Sequence, residues 1–190
     1  MEINVLLTGV GGQGILTSSM ILAKAAMNSG KNVLTAETHG MAQRGGSVEV
    51  HVRIGDVLSP LIPLGSADYV LSLELSEVLR YASYYGEKTK AIVNTGKIVP
   101  PAVSRGEASY PELEDVVNSL SWLDLYLVNA SEIAEKAGNA QATNVAILGS
   151  FCRISRVFTL EELERAVMEV LPEKLHDVNL RALRMGYEAV

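Results

Sequence analysis

Gly9-Val10-Gly11-Gly12-Gln13-Gly14 fits the pattern G-x-G-x-x-G, directly after a short apolar run and directly before a helical stripe. Glycines in such a turn let the backbone approach a phosphate, and the free N–H groups of the helix start point at it. Glu37 follows Gly14 by 23 residues, close to where a dinucleotide fold places its ribose-binding acid. A tight turn whose glycines only permit close packing is the plainer alternative. The second notable segment is Glu37-Thr38-His39-Gly40-Met41-Ala42-Gln43-Arg44-Gly45-Gly46-Ser47. It gathers acid, imidazole, amide and guanidinium groups on a glycine-flexed loop after a strand, where open α/β sheets bind ligands. The two segments leave the same sheet edge and are expected to be neighbours.

Other enzyme signatures fail. Tyr84 and Lys88 have Y-x-x-x-K spacing, but Gly86 between them ends the expected helix, so they need not share a face. Gly30-Lys31 and Gly96-Lys97 lack the Ser or Thr of a P-loop. Gly55-Asp56-Val57 begins like a thiamine diphosphate motif but lacks its next glycine. His51 and His176 read as surface or interface residues rather than ligands. Cys152, among apolar neighbours, reads as a small core residue.

The elements needed to hold these groups follow from periodicity. Ile3–Thr8 is a nearly continuous apolar run, expected of a buried parallel strand. Ile15 to Asn28 reads as a helix stopped near Gly30, and Asn32–Glu37 as a second strand. Ser47 to Ile54 alternates strictly, with Val48, Val50, Val52 and Ile54 on one face and Ser47, Glu49, His51 and Arg53 on the other. That pattern predicts a half-buried antiparallel or edge strand. Its polar face, with the Thr38–Gly46 loop, is expected to face a partner or the active site.

Asp68–Leu73 and Lys90–Asn94 read as strands, with a helix over Leu75–Tyr85 between them. Thr95 to Pro111 is an irregular connection, followed by a helix near Glu112–Ser119 and a strand at Leu125–Val128. The rest is helical, with a capping box at Thr159 and Glu162. The expected fold is therefore α/β: a Rossmann-like, doubly wound, mostly parallel sheet with one antiparallel or edge strand and a helical C-terminal tail. It is read as a single domain over residues 1–190, the tail covering about 142–190.

Composition limits the function. Sixteen basic and twenty-two acidic residues leave a net charge of −6, which argues against a nucleic-acid footprint. One cysteine cannot supply a four-thiolate iron–sulfur or zinc site. No apolar run is long enough to span a bilayer, and Met1-Glu2-Ile3-Asn4 lacks the basic start of a signal peptide. A soluble, cytoplasmic protein without a membrane or metal site is expected.

Val10-Gly11-Gly12-Gln13-Gly14, the Glu37–Ser47 segment and Ser59-Pro60-Leu61-Ile62-Pro63 together resemble the beta subunit of indolepyruvate:ferredoxin oxidoreductases. More broadly, they resemble the gamma subunit or domain of 2-oxoacid:ferredoxin oxidoreductases. The resemblance continues through Val93-Asn94-Thr95 and Val178-Asn179-Leu180-Arg181-Ala182. It implies an obligate small subunit, inactive alone, supporting coenzyme A-dependent oxidative decarboxylation of an arylpyruvate or related 2-oxoacid. It also implies a large alpha subunit carrying thiamine diphosphate and iron–sulfur clusters, with ferredoxin as electron acceptor.

Within this chain the resemblance points to His39, Gln43 and Arg44 for the catalytic pocket. Gly9, Gly11, Gly12, Gln13, Gly14, Glu37, Thr38, Gly45 and Gly46 are the cofactor-side candidates. Coenzyme A would be contacted rather than held tightly. Two rivals remain open at this point: a stand-alone NAD(P)-dependent oxidoreductase with Glu37 on the ribose, and a non-catalytic assembly module with an empty glycine loop.

Overall fold

The computed structural model describes residues 2–39, 46–99, 103, 105–106 and 109–190, with the His39 side chain left aside. Ile3–Val10 forms β1, and every one of its residues is buried, as its apolar run demands. The Gly11–Gly14 turn leads into α1, Ile15–Asn28, and then β2, Val33–His39. β3 covers Ser47–Ile54 and β4 covers Ala67–Ser72. The short helix α2, Glu77–Arg80, precedes β5, Tyr85–Asn94. Then come α3 (Leu113–Ser119), β6 (Asp124–Val128) and α4 (Ala130–Ala137). Three further helices close the chain: α5 (Thr143–Ser155), α6 (Leu160–Val170) and α7 (His176–Glu188).

The strand order is β2-β3-β1-β4-β5-β6. β1, β4, β5 and β6 run parallel, while β3 is antiparallel to both its neighbours. The β1–α1–β2 unit is therefore split, with β3 inserted between its two parallel strands. One sheet face packs Val5, Leu7, Val50 and Val52 against α1 and the C-terminal helices. The other packs Leu6, Val70, Ala91 and Val93 against α2, α3 and Ile62. α5 and α7 cross backbone to backbone at Gly149 and Gly186, where a Cβ on either would strike the opposing main chain. Ser150 donates to the Gly186 carbonyl at 2.7 Å and seals that crossing.

The sequence and the structure part company in two places. The helix expected over Leu75–Tyr85 shrinks to Glu77–Arg80 and one 3-10 turn, because β5 already begins at Tyr85, paired with Ala67. The Tyr85 hydroxyl then donates to the Val78 carbonyl at 2.5 Å, tying strand to helix.

The second difference is larger. β3 is antiparallel as expected but lies inside the sheet, and β2 takes the edge. The polar face of β3, read from sequence as facing a partner or active site, is largely buried: His51 is 1% exposed and Arg53 8%. Arg53 donates through Nε to Asn4 Oδ1 (2.8 Å) and through Nη1 to the carbonyls of Ser59 (2.9 Å) and Leu61 (3.3 Å). His51 Nδ1 accepts from the Ile62 N–H at 3.1 Å. Burial thus became affordable for long polar side chains because a neighbouring loop supplies backbone partners.

Candidate functional site

The glycine turn is built from the end of β1 and the head of α1. Gly12 and Gly14 hold φ values of 103° and 79°, a region that favours glycine. Gly14 occupies the N-cap of α1 and provides no side-chain cap. Part of the turn's backbone is already committed. The Gly11 N–H donates to the Gly46 carbonyl at 2.8 Å, and the Gln13 N–H to the Val10 carbonyl at 3.1 Å.

Gln13 has a different role from a ligand contact. Its Oε1 accepts from the Val10 N–H (2.8 Å) and its Nε2 donates to the Leu73 carbonyl (2.8 Å). The side chain therefore bridges β1 and the segment after β4, which is where the crossover direction reverses and open α/β sheets have their crevice. Asn94, at the end of β5, donates to the same Leu73 carbonyl at 3.0 Å and to Ser131 Oγ of α4 at 3.0 Å. Gly9 is also inward: a Cβ there would press on Gln13 Oε1, Ile15 and Leu73.

Gly12 is the exception. It is exposed, and nothing would lie within 4 Å of an added Cβ. Three clefts of about 270, 330 and 350 Å³ meet at this residue. The first runs toward Asn139, Gln141, Asn144 and Asn179, and the second along Leu16, Thr17 and Val48. The third holds Asn94, Lys97, Ser131, Gln141 and Thr143. Lys97 bonds Glu112 at 2.7 Å, so its charge is partly engaged.

The two segments singled out in the sequence do meet, through the Gly11–Gly46 bond. Ser47 anchors the returning chain, bonding the Glu77 carboxylate and, at 2.6 Å, the Tyr81 hydroxyl. Glu37 and Thr38 lie elsewhere. They sit on β2, two strands from β1, or about 10 Å at ordinary strand spacing. Thr38 Oγ1 donates to Glu49 Oε1 at 2.7 Å. His39 ends β2, its side chain lying outside the described residues, as do Gln43, Arg44 and Gly45.

Asn144 is a site residue that sequence reasoning missed. From the first turn of α5 it donates to the Gly14 carbonyl (3.1 Å) and Ser18 Oγ (3.3 Å). No spacing marks it, because the contact spans 130 residues. Two buried reactive groups are spoken for. Glu74 accepts from the N–H groups of Ser76, Glu77 and Ile98 and from two hydroxyls, those of Ser76 and Tyr110. Burial pushes the Cys152 thiol up to about 11, and it donates to the Phe158 carbonyl, so it is no nucleophile at neutral pH.

An open glycine turn on a doubly wound sheet makes this a Rossmann-like α/β protein. The sequence profile of the pyruvate ferredoxin/flavodoxin oxidoreductase family matches residues 4–189. Indolepyruvate oxidoreductase subunit IorB from Archaeoglobus fulgidus is 55% identical over 190 residues, covering 98% of this chain and 94% of its own. The IorB subunit of Methanothermobacter thermautotrophicus is 41% identical, covering 100% and 98%. Among solved structures, a keto/oxoacid ferredoxin oxidoreductase gamma subunit from Geobacter sulfurreducens shares the fold. Its TM-score is 0.74 at 24% identity, covering 98% of this chain and 97% of that one.

The 2-oxoglutarate:ferredoxin oxidoreductase of Magnetococcus marinus, solved with 2-oxoglutarate, coenzyme A and succinyl-CoA bound, also shares it. There the TM-score is 0.75 at 18% identity, and the likeness covers 99% of this chain but 31% of that longer one. The chain belongs to the pyruvate ferredoxin/flavodoxin oxidoreductase family. It is a small subunit of the 2-oxoacid:ferredoxin oxidoreductase type. Among the described residues, no helix is long and apolar enough to cross a membrane.

Proposed function

We propose that the chain is the obligate small subunit of a cytoplasmic indolepyruvate-type oxidoreductase, inactive alone, that presents coenzyme A to a large alpha subunit. That subunit would carry thiamine diphosphate and iron–sulfur clusters and pass electrons to ferredoxin. The observation that carries the reading is Gly12: an open main-chain position at the meeting of three clefts, beside a helix head without a side-chain cap. Such a place fits a phosphate or pyrophosphate, which needs close backbone approach and donors rather than a deep apolar pocket. Coenzyme A, when bound, supplies the thiol that accepts the acyl group. This chain's part is to bind and orient it, with Gly11, Gly12 and Gly14 shaping the approach and Arg44 adding a charge-assisted contact. His39 and Gln43 would line the shared pocket.

The rival nicotinamide reading loses its main support. Its ribose acid, Glu37, should lie beside the glycine turn, yet β3 separates the two strands.

The test is coenzyme A dependence in the reconstituted complex. Gly12→Asp places a carboxylate at the approach and a Cβ on a strained φ. Arg44→Glu removes a charge-assisted bond worth about 1.5–3 kcal/mol, or roughly ten- to a hundredfold in affinity. Apparent coenzyme A affinity should fall by that factor in steady state. Single-turnover reduction by the 2-oxoacid alone should change far less. Normal coenzyme A dependence in both variants would leave the glycines with a turning role only.

A further inference from the structure

Two asparagines in the first of the three clefts are only half satisfied. Asn144 is 4% exposed and Asn179 7%, a depth at which polar side chains are normally bonded throughout. Asn144 Nδ2 donates to the Gly14 carbonyl and to Ser18 Oγ, and Asn179 Nδ2 donates to the Leu175 carbonyl at 2.8 Å. A carbonyl can be met only by the nitrogen of an amide, so these bonds fix which way each side chain faces. Both amide oxygens are left without a donor among the described residues. The one side-chain atom there that is both sealed from solvent and unpaired is His51 Nε2. The two oxygens are therefore open to the cleft that both residues line.

That cleft has a consistent chemistry. Among the described residues no charged side chain lines it, and Val145, Leu171 and Leu175 give it aliphatic walls. The third cleft, by contrast, carries Lys97. Asn139 is also present, but its Oδ1 already accepts from the Gln141 N–H at 2.9 Å. Two fixed acceptors between aliphatic walls suit an uncharged, flat group that donates N–H. They reject a group that turns only acceptors toward them, because both sides would then lose a partner.

Coenzyme A has two parts that donate N–H: the exocyclic amine of its adenine and the amides of its pantetheine arm. The arm has to leave this chain, because its thiol must reach the thiamine diphosphate of the large subunit. The nucleotide stays behind, tethered through a pyrophosphate at Gly12, which opens into the same cleft.

We infer that Asn144 and Asn179 determine specificity for the nucleotide: their amide oxygens accept from the adenine amine, with Leu171 and Leu175 against the ring. The inference rests on the coenzyme A reading above and places the end of the ligand farthest from the reacting thiol. It also gives Asn179, in the segment 178–182 singled out in the sequence, a task beyond helix packing.

The experiment measures calorimetric binding to the purified complex of the two subunits. The probes are coenzyme A, its adenosine bisphosphate end, the inosine counterpart of that end, and pantetheine. Inosine replaces the exocyclic amine with a carbonyl oxygen, an acceptor facing acceptors. Wild type should prefer the adenosine compound by roughly tenfold or more. Asn179→Leu and Asn144→Ala should each cut that preference severalfold, and the double variant should abolish it while still binding the inosine compound. The preference is the readout because loss of the brace on Gly14 alone would weaken both nucleotides alike. Asn179→Leu gives up only a bond within the start of α7, so it carries the test if the double variant does not fold. Equal affinity for the two nucleotides in wild type would overturn the assignment, as would a preference that survives these substitutions. Variants that lose pantetheine binding instead would also overturn it, because the cleft would then hold the arm. A wild-type complex that fails to bind coenzyme A would overturn the reading beneath, and this inference with it.

Discussion

The two ends of the sheet are built on opposite plans. At the carboxyl ends of β1, β4 and β5 the surface is made of glycine backbone, and the side chains nearby, Gln13, Asn94 and Asn144, turn inward to brace it. At the other end two long ionisable side chains, Arg53 and His51, are buried beneath a loop whose Leu58, Leu61 and Leu64 are exposed. Main-chain donors suit a small anion, which is read by close approach. Leucines on a stiff loop suit a protein surface, which is read by area and shape.

The sharpest way to break this comparison is to attack the clamp. Arg53→Glu puts an acid next to Glu2 and strips donors from Asn4, Ser59 and Leu61. Uncompensated buried charges of this kind cost about 3–5 kcal/mol, a large share of the roughly 5–15 kcal/mol that holds a domain folded. Urea denaturation should show that loss in the isolated chain. Arg53→Met, which keeps bulk without charge, should lose less.

The glycine end should respond locally. Gln13→Leu leaves the Val10 N–H buried without its acceptor, a cost of about 1–3 kcal/mol. Hydrogen exchange should accelerate over residues 9–16 and stay unchanged in α6 and α7. Uniform acceleration would mean that Gln13 supports the whole fold rather than the turn.

The smallest effect is a titration. Burial pushes the His51 imidazole below its usual 6.5, while Glu49, at 3.7 Å, pulls the other way. The unfolded chain then binds the proton first, so stability is complete above pH 6.5 and declines as pH falls from there to the lower folded value. Melting temperature should drop through that window in wild type. The drop should be shallower in His51→Gln. Identical slopes would exclude His51 as the source.

Local pattern reached most of the scaffold. Ile15–Asn28 and Ser47–Ile54 match their expected bounds, and the Thr159–Glu162 capping box forms in both directions. These depend on nearest neighbours along the chain. What lay beyond reach depends on partners far away in sequence. Alternation in β3 showed that it has two faces, but not that a loop with free carbonyls would cover the polar one. The strand order that distances Glu37 from Gly12 is likewise a pairing choice among remote segments. At the glycine turn, the pattern gave the backbone path and missed Asn144, whose bond closes only when the C-terminal helices dock.

One carbonyl takes on added weight in this light. Leu73 accepts both Gln13 and Asn94, and Asn94 in turn holds Ser131 at the head of α4. Val10, Gln13, Leu73, Asn94 and Ser131 thus form a continuous truss across three strand ends. A molecule leaning on Gly12 meets the stiffness of that whole span rather than the pliancy of a lone glycine turn.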